Sequence, residues 1–248
     1  MCRLAVIKKT SLNKINGDFF EGLEKSLGGH GNSITLINSN NVELPNWAMR
    51  IRKGNNFNII DFSAINDRLY FNSFRKSNND WNNVYQWLFQ QDFEYLIFHT
   101  RLASTGGMGL FHPIETDNLL LWQNGTVRID KWILKYFKIK SDWDTQQVAE
   151  IIEKTKSLSI LYDKSSSWIL FDKRTNDLYV IKNNSDLQFT QDLGIIASEI
   201  DLEDVYEFKG TIGIIKNFEL IKGQIKKTIH YYSRNFYYDT KKGTWIYR

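Results

Sequence analysis

Apolar positions along this chain follow two rhythms. Strand-like runs, alternating or continuously apolar, occur at Leu4 to Ile7, Ser33 to Ile37, Tyr95 to His99, Leu119 to Trp122, Leu158 to Leu161, Trp168 to Phe171, Leu178 to Ile181, Gly194 to Ala197 and Thr211 to Ile215. Helical spacing is clearest at Phe19, Phe20, Leu23 and Leu27, stopped by Gly28-Gly29. It recurs over Trp81 to Gln90 and over Asp144 to Lys156, where Val148, Ile151 and Ile152 share one face. Strands outnumber helices, and the second half reads as an antiparallel meander. A run as apolar as Leu119-Leu120-Leu121-Trp122 requires cover on both faces. Two mainly antiparallel sheets between helix layers, a four-layer αββα sandwich, supply that cover, although periodicity alone permits other α+β folds.

Composition narrows the class. The 248 residues are 42% apolar and 15% aromatic, enough for a substantial core. With only two prolines, no repeat and no Gly/Pro-rich linker, residues 1–248 read as a single domain. The 32 basic and 28 acidic residues nearly balance at a net +4, so charge lends no support to nucleic-acid binding. The apolar stretch at the start is too short for a signal peptide, and nowhere do about 18 apolar residues run together. The expectation is a cytoplasmic protein with no membrane segment. The one cysteine excludes an intramolecular disulfide and a Cys-based zinc site, which fits a reducing compartment. His30, His99, His112 and His230 lie far apart, without H-E-x-x-H spacing, and there is no P-loop or G-x-G-x-x-G. No metal and no cofactor are therefore expected.

Four segments carry candidate chemistry. Cys2 follows the initiator methionine, and removal of Met1 would set its thiol beside an α-amine of pKa about 8 that can serve as its base. A merely tolerated cysteine is the plainer alternative. Past a buried strand, Arg101-Leu102-Ala103-Ser104-Thr105-Gly106-Gly107 places an arginine and hydroxyls at a glycine-rich turn. Such an arginine can grip a carboxylate bidentately or simply tie down loop carbonyls. Asn124-Gly125, at the end of an apolar strand, is either a hairpin turn or a pair of donors for an oxyanion. Ser141-Asp142-Trp143-Asp144-Thr145 precedes a helix, where capping suits Asp142 while Asp144 is available to a ligand ammonium.

In this order the segments resemble the class II glutamine amidotransferases, whose glutaminase domain belongs to the N-terminal-nucleophile hydrolases. Met1-Cys2-Arg3-Leu4 is similar to the family's Met-Cys opening. His99 to Gly106 is similar to its His-Thr-Arg-aromatic-Ala-Thr-His-Gly signature, and Phe111-His112-Pro113 to its Ala-His-Pro. Leu119 to Gly125 is similar to a strand ending in His-Asn-Gly, and Ser141 to Gln146 to Ser-Glu-Thr-Asp-Thr-Glu. Ser166 to Lys182 resembles its paired strands, and Ile195 to Glu199 its Ile-Ala-Ser-Glu strand. The likeness spans nearly the whole chain and implies a glutaminase-type domain without a synthase domain. By resemblance Cys2 is the nucleophile, Asn124 and Gly125 form the oxyanion hole, Arg101 holds the substrate α-carboxylate and Asp144 its α-ammonium. Ser104 and Thr105 belong to the substrate pocket. Leu102, Ser104, Thr105 and Gln123 depart from the family pattern, all at positions that shape the pocket wall.

The reaction this implies is release of ammonia from glutamine through a γ-glutamyl thioester, with glutamine or another γ-glutamyl compound as ligand. Three alternatives stand beside it. If ammonia is passed on, a separate ammonia-accepting synthase is the partner; a stand-alone hydrolase of γ-glutamyl amides or peptides needs none. A non-catalytic binding or structural protein could have kept the fold. Finally, the aromatic and basic stretch from His230 to Arg248 is compatible with single-stranded nucleic acid, but reads more simply as strands with an aromatic face.

Overall fold

The computed structural model describes residues 2–28, 31–38, 50–54, 56–62, 80–102, 110–228, 236–239 and 244–247. In chain order these form β1 (Arg3–Lys8), a 3-10 turn (Lys9–Lys14), α1 (Gly17–Leu27), β2 (Gly31–Ile37), β3 (Arg50–Lys53), β4 (Phe57–Phe62) and α2 (Trp81–Gln90). There follow β5 (Tyr95–Arg101), β6 (Ile114–Glu115), β7 (Leu119–Asn124), α3 (Lys131–Tyr136), α4 (Asp144–Thr155) and α5 (Ser159–Asp163). The remainder is β8 (Ser166–Asp172), β9 (Asp177–Asn183), β10 (Gln188–Thr190), β11 (Ile195–Ala197), β12 (Val205–Lys216), β13 (Glu219–Lys227), β14 (Phe236–Asp239) and β15 (Thr244–Tyr247). The protein is α+β, dominated by antiparallel strands, as its apolar pattern predicts.

Local chemistry accounts for the helix ends. Asn16 caps α1 by accepting from the backbone N–H of Asp18 at 3.0 Å, and the N–H of Gly28 closes its other end on the carbonyl of Glu24. The Asp80 carboxylate caps α2 through the N–H of Asn83. Glu24 is buried on α1 and accepts from Asn32 Nδ2 on β2 at 2.8 Å and from the Trp81 indole on α2 at 2.7 Å, so one carboxylate ties three elements together. The run Leu158 to Leu161 departs from the strand expected of it: residues from Ser159 form the short helix α5. The Ser157 hydroxyl accepts from the Ser159 N–H and Leu161 N–H reaches back to the Leu158 carbonyl. A short apolar run has no periodicity to separate the two outcomes, and here the turn made by the Ser157 side chain leads the chain into the helix.

Among the described residues the strands form one 13-stranded sheet, in the order β3-β4-β2-β5-β1-β11-β10-β12-β9-β8-β7-β6, with β13 on β12; β14 and β15 pair separately. The two separate sheets expected from sequence are thus continuous. The cause is β12, which pairs with β10 through Val205 to Glu207 and with β9 through Ile212 to Lys216. Its register against β13 breaks between Lys209 and Ile214, where Gly210 takes φ +76°, a conformation that favours glycine.

Alternation along β1 shows how the sheet is buried. Ala5 and Ile7 join a core with Phe20, Leu23, Trp81, Val84 and Leu88 of α1 and α2. Leu4 and Val6 point the other way, into a core shared with Leu120 and Trp122 of β7 and Ile169 and Phe171 of β8. Because β1 and β7 are far apart in the strand order, they share a core only because the sheet doubles back on itself. The opposite face of β7 and β8, with Leu121, Trp168 and Leu170, packs on Val148, Ile151 and Ile152 of α4. The end strands also meet: Arg52 of β3 lies 3.5 Å from Asp61 of β4 and 4.0 Å from Glu115 of β6. Among the described residues no helix is long and apolar enough to cross a membrane.

Candidate active site

Strand parity delivers the candidate residues to one place. Cys2 has the parity of Leu4 and Val6, His99 and Arg101 that of Ile97, and Asn124 that of Leu120 and Trp122, all members of the core between the facing halves of the sheet. Cys2 lies at one end of that core and is only 6% exposed. Its backbone nitrogen donates to Asn124 Oδ1 at 3.1 Å across a separation of 122 residues, and its Sγ lies 3.8 Å from the carbonyl oxygen of Leu102. Burial pushes the thiol's pKa up, against the opposing pull of the Leu102 contact, the positive amino terminus and Arg101. The thiol is therefore protonated at neutral pH and needs a base before it can attack.

Asn124 is held at both ends of its amide. Oδ1 accepts from Cys2, while Nδ2 donates to the Ser198 hydroxyl at 3.0 Å. The neighbouring Gly125 has φ +147°, and a Cβ there would stand 2.4 Å from Ser166 Oγ. That hydroxyl is fixed in turn, donating to the Asn124 carbonyl at 2.9 Å. Glycine is required here on both conformational and steric grounds. The Asn-Gly pair does not make a two-residue hairpin: the chain leaves β7 and passes through α3, α4 and α5 before pairing with it again as β8.

Arg101, 2% exposed at the end of β5, donates to the Leu110 carbonyl at 3.3 Å and lies 4.9 Å over the ring of Trp143. Asp144 is the first residue of α4 and is buried. Its Oδ2 accepts from the Val127 N–H at 2.8 Å and from Gln123 Nε2 at 3.3 Å, and its Oδ1 accepts from the Thr145 N–H at 2.9 Å. Asp144 thus ties the start of α4 to the end of β7 and the loop after it, whatever else it does. The exposed Asp142 makes no cap for α4; the Ser141 hydroxyl accepts from the Trp143 N–H instead. Thr145 Oγ1 donates to Gln123 Oε1 at 2.7 Å and lies 3.1 Å from His112 Nε2.

The two histidines stack with ring centroids 4.0 Å apart. His99 Nε2 lies 3.0 Å from the Gln123 carbonyl, and the Nδ1 atoms of both rings have no hydrogen-bond partner among the described residues. Burial drives the pKa of His99 down to about 3, and burial together with its neighbours His99 and Arg101 holds His112 well below its ordinary value. Both are neutral and too weakly basic to activate a thiol at neutral pH.

The structure thus brings Cys2, Arg101, Asn124, Gly125 and Asp144 to one end of the inter-strand core. Ser104, Thr105 and Met1 lie outside the described residues, as do the side chains of the terminal stretch from His230 to Arg248. Sequence reasoning does not assign the parts played by Ser198, Ser166, Trp143 and Thr145. Ser198 sits in a strand motif whose residues are recognisable, but its contact with Asn124 depends on strand order. Among the described residues no three His, Cys, Asp or Glu side chains stand close enough to hold a metal ion.

No protein-family model and no curated protein matches the sequence. Among solved structures the chain is similar to glutamine phosphoribosylpyrophosphate (PRPP) amidotransferase from B. subtilis, determined in complex with ADP and GMP. The TM-score is 0.54 at 12% identity, covering 90% of this chain and 49% of that one, so the chain spans about half the length of the structure it matches. This chain shares its fold with about half of a glutamine amidotransferase, a protein of the kind that its sequence motifs resemble.

Proposed function

We propose that residues 1–248 act as a glutaminase-type amidohydrolase domain in which Cys2, exposed by removal of Met1, attacks the side-chain amide of glutamine. In this reading the doubled sheet is the αββα sandwich of the N-terminal-nucleophile hydrolases. The three cores, helix on sheet, sheet on sheet and sheet on helix, support that layering.

The observation that carries the chemistry is the 3.1 Å contact between the Cys2 nitrogen and Asn124 Oδ1. With Met1 gone, this nitrogen is a free α-amine held beside the thiol. Its lone pair takes the thiol proton as sulfur bonds to the amide carbon, and the carbonyl electrons move onto oxygen. Asn124 Nδ2 and the Gly125 N–H donate to that oxyanion, a contribution of about 3 to 4 kcal/mol per donor in serine proteases. The ammonium of Cys2 then returns the proton to the leaving nitrogen, ammonia departs and a γ-glutamyl thioester remains. Water adds to the thioester, again losing its proton to the amine, and glutamate and the thiol are released. The lowered pKa values of His99 and His112 leave the α-amine as the base suited to this step. Arg101 holds the α-carboxylate, with Ser104 and Thr105 completing the pocket. Asp144, whose carboxylate also accepts from Gln123, Val127 and Thr145, receives the α-ammonium.

The test is intact mass after incubation with 6-diazo-5-oxo-L-norleucine, an electrophilic glutamine analogue. The expected product lacks Met1 and carries one adduct that is absent from Cys2→Ala. A chain that retains Met1 and takes no adduct overturns the proposal. Substitution of the family's pocket-wall residues by Leu102 and Gln123 favours a second reading in which the substrate is a γ-glutamyl amide or peptide. A higher kcat/KM for such amides than for glutamine would select it and would remove the need for an ammonia-accepting partner.

A further inference from the structure

The ladder between β1 and β11 ends in an irregular step. Ala5 pairs with Ala197, which sets Leu4 opposite Ser198. One bond of that pair is ordinary, from the Ser198 N–H to the Leu4 carbonyl at 2.9 Å. The reciprocal bond is not made to a backbone oxygen: the Leu4 N–H donates to the Ser198 side-chain hydroxyl at 3.1 Å. The same oxygen accepts from Asn124 Nδ2 at 3.0 Å, in a position only 4% exposed. A hydroxyl has two acceptor lone pairs, and here both are used, one on the strand that carries the nucleophile and one on the side chain that faces it.

We infer that Ser198 is the positioning residue of this site, fixing the orientation of the Asn124 amide relative to Cys2. The inference rests on the function proposed above and adds a part that the motifs do not assign. Asn124 can present its amide two ways round, with nitrogen and oxygen exchanged. The Cys2 nitrogen is one determinant, since it requires an oxygen opposite it. The Ser198 hydroxyl is the other. It engages one Nδ2 hydrogen and leaves the second to donate to an oxyanion. Without it, Asn124 is held from one side only, and rotation would bring Oδ1 toward the developing negative charge, where it repels. Alanine offers no acceptor; threonine keeps the oxygen on the same carbon.

The test compares wild type, Ser198→Ala and Ser198→Thr in two reactions. The first is steady-state hydrolysis of glutamine and a γ-glutamyl anilide, which needs the oxyanion donor; the second is alkylation of Cys2 by iodoacetamide, which needs the Cys2 thiolate but no oxyanion donor. Ser198→Ala is expected to lower kcat about 10- to 100-fold with KM within about twofold, the scale of a weakened oxyanion donor. Ser198→Thr should recover most of that loss, and the alkylation rate should stay within about twofold in all three. An equal fall of hydrolysis and alkylation in Ser198→Ala assigns the serine a structural role and overturns the inference, as does unchanged kcat. A wild-type chain that hydrolyses neither substrate overturns the proposed function and this inference with it. An active wild type matched by Ser198→Ala overturns the inference alone.

Discussion

The backbone nitrogen of Cys2 donates to the side-chain oxygen of Asn124 at 3.1 Å, joining the first strand of the chain to a strand that meets it only across the core. The two residues belong to facing halves of a doubled sheet, so this contact reports whether the halves are correctly closed. Asn124→Ala removes the acceptor for Cys2 and the donor to Ser198. Kinetics with glutamine should show a loss of roughly 10² to 10³ in kcat, as for removal of an oxyanion donor. Urea denaturation should show a loss of about 1 to 3 kcal/mol from the stranded buried groups.

In the proposed mechanism the α-amine of Cys2 acts as base only when it is free. A variant with one residue inserted between Met1 and Cys2, processed or not, keeps the thiol and loses that base. Hydrolysis should fall below detection while Cys2 still reacts with iodoacetamide at alkaline pH, where the thiolate forms without the amine. Hydrolysis at the wild-type rate would require another base, and the mechanism would have to be rewritten around it.

Gly125 combines φ +147° with a site at which an added Cβ would stand 2.4 Å from Ser166 Oγ. Gly125→Ala should cost about 1 to 3 kcal/mol in unfolding free energy. Adding Ser166→Gly removes the steric part and leaves the conformational part, so the double variant should recover some stability but not all. Full recovery would assign the whole cost to the clash.

His99 and His112 are buried and neutral, so their folded pKa values lie below the ordinary 6.5. The unfolded chain binds protons there that the folded chain refuses. Stability is therefore full above about pH 6.5 and is lost as the pH falls toward the folded values, about 3 for His99. Two such groups give a limiting slope of about 2.7 kcal/mol per pH unit. Urea midpoints measured between pH 7.5 and 4.5 should fall steadily. The fall should be shallower in His112→Gln, and an equal slope in that variant would contradict the assignment.

Trp122 is fully buried in the core between the facing halves of the sheet. Trp122→Ala should cost about 3 to 5 kcal/mol, measured by chemical denaturation. Because Asn124 lies two residues along on the same face of β7, the change should also lower kcat.

Much of the fold is legible in local pattern. Leu4 to Ile7, Leu119 to Trp122 and Trp168 to Phe171 form strands because an apolar run of that length has no better way to be covered on both faces. The helices containing Phe20, Trp81 and Val148 follow from their spacing and from caps at Asn16 and Asp80. Leu158 to Leu161 has the composition of a strand yet enters a helix, because four residues carry no period and the turn at Ser157 leads into one. Of the candidate site, Cys2, Arg101, Asn124, Gly125 and Asp144 stand out from residue type and from motif order.

Side-chain identity and short-range spacing suffice to say which residues have an inward face and which carry useful chemistry, and both can be read along the chain alone. That β12 makes one sheet where two are expected is settled at the tertiary level, because pairing on both halves of one long strand is a long-range choice. So is the meeting of Asn124 with both Cys2 and Ser198, and the burial that leaves His99 and His112 unable to serve as bases. Hydrogen bonds and desolvation depend on neighbours distant in the chain, and those neighbours exist only once the sheet has doubled back on itself.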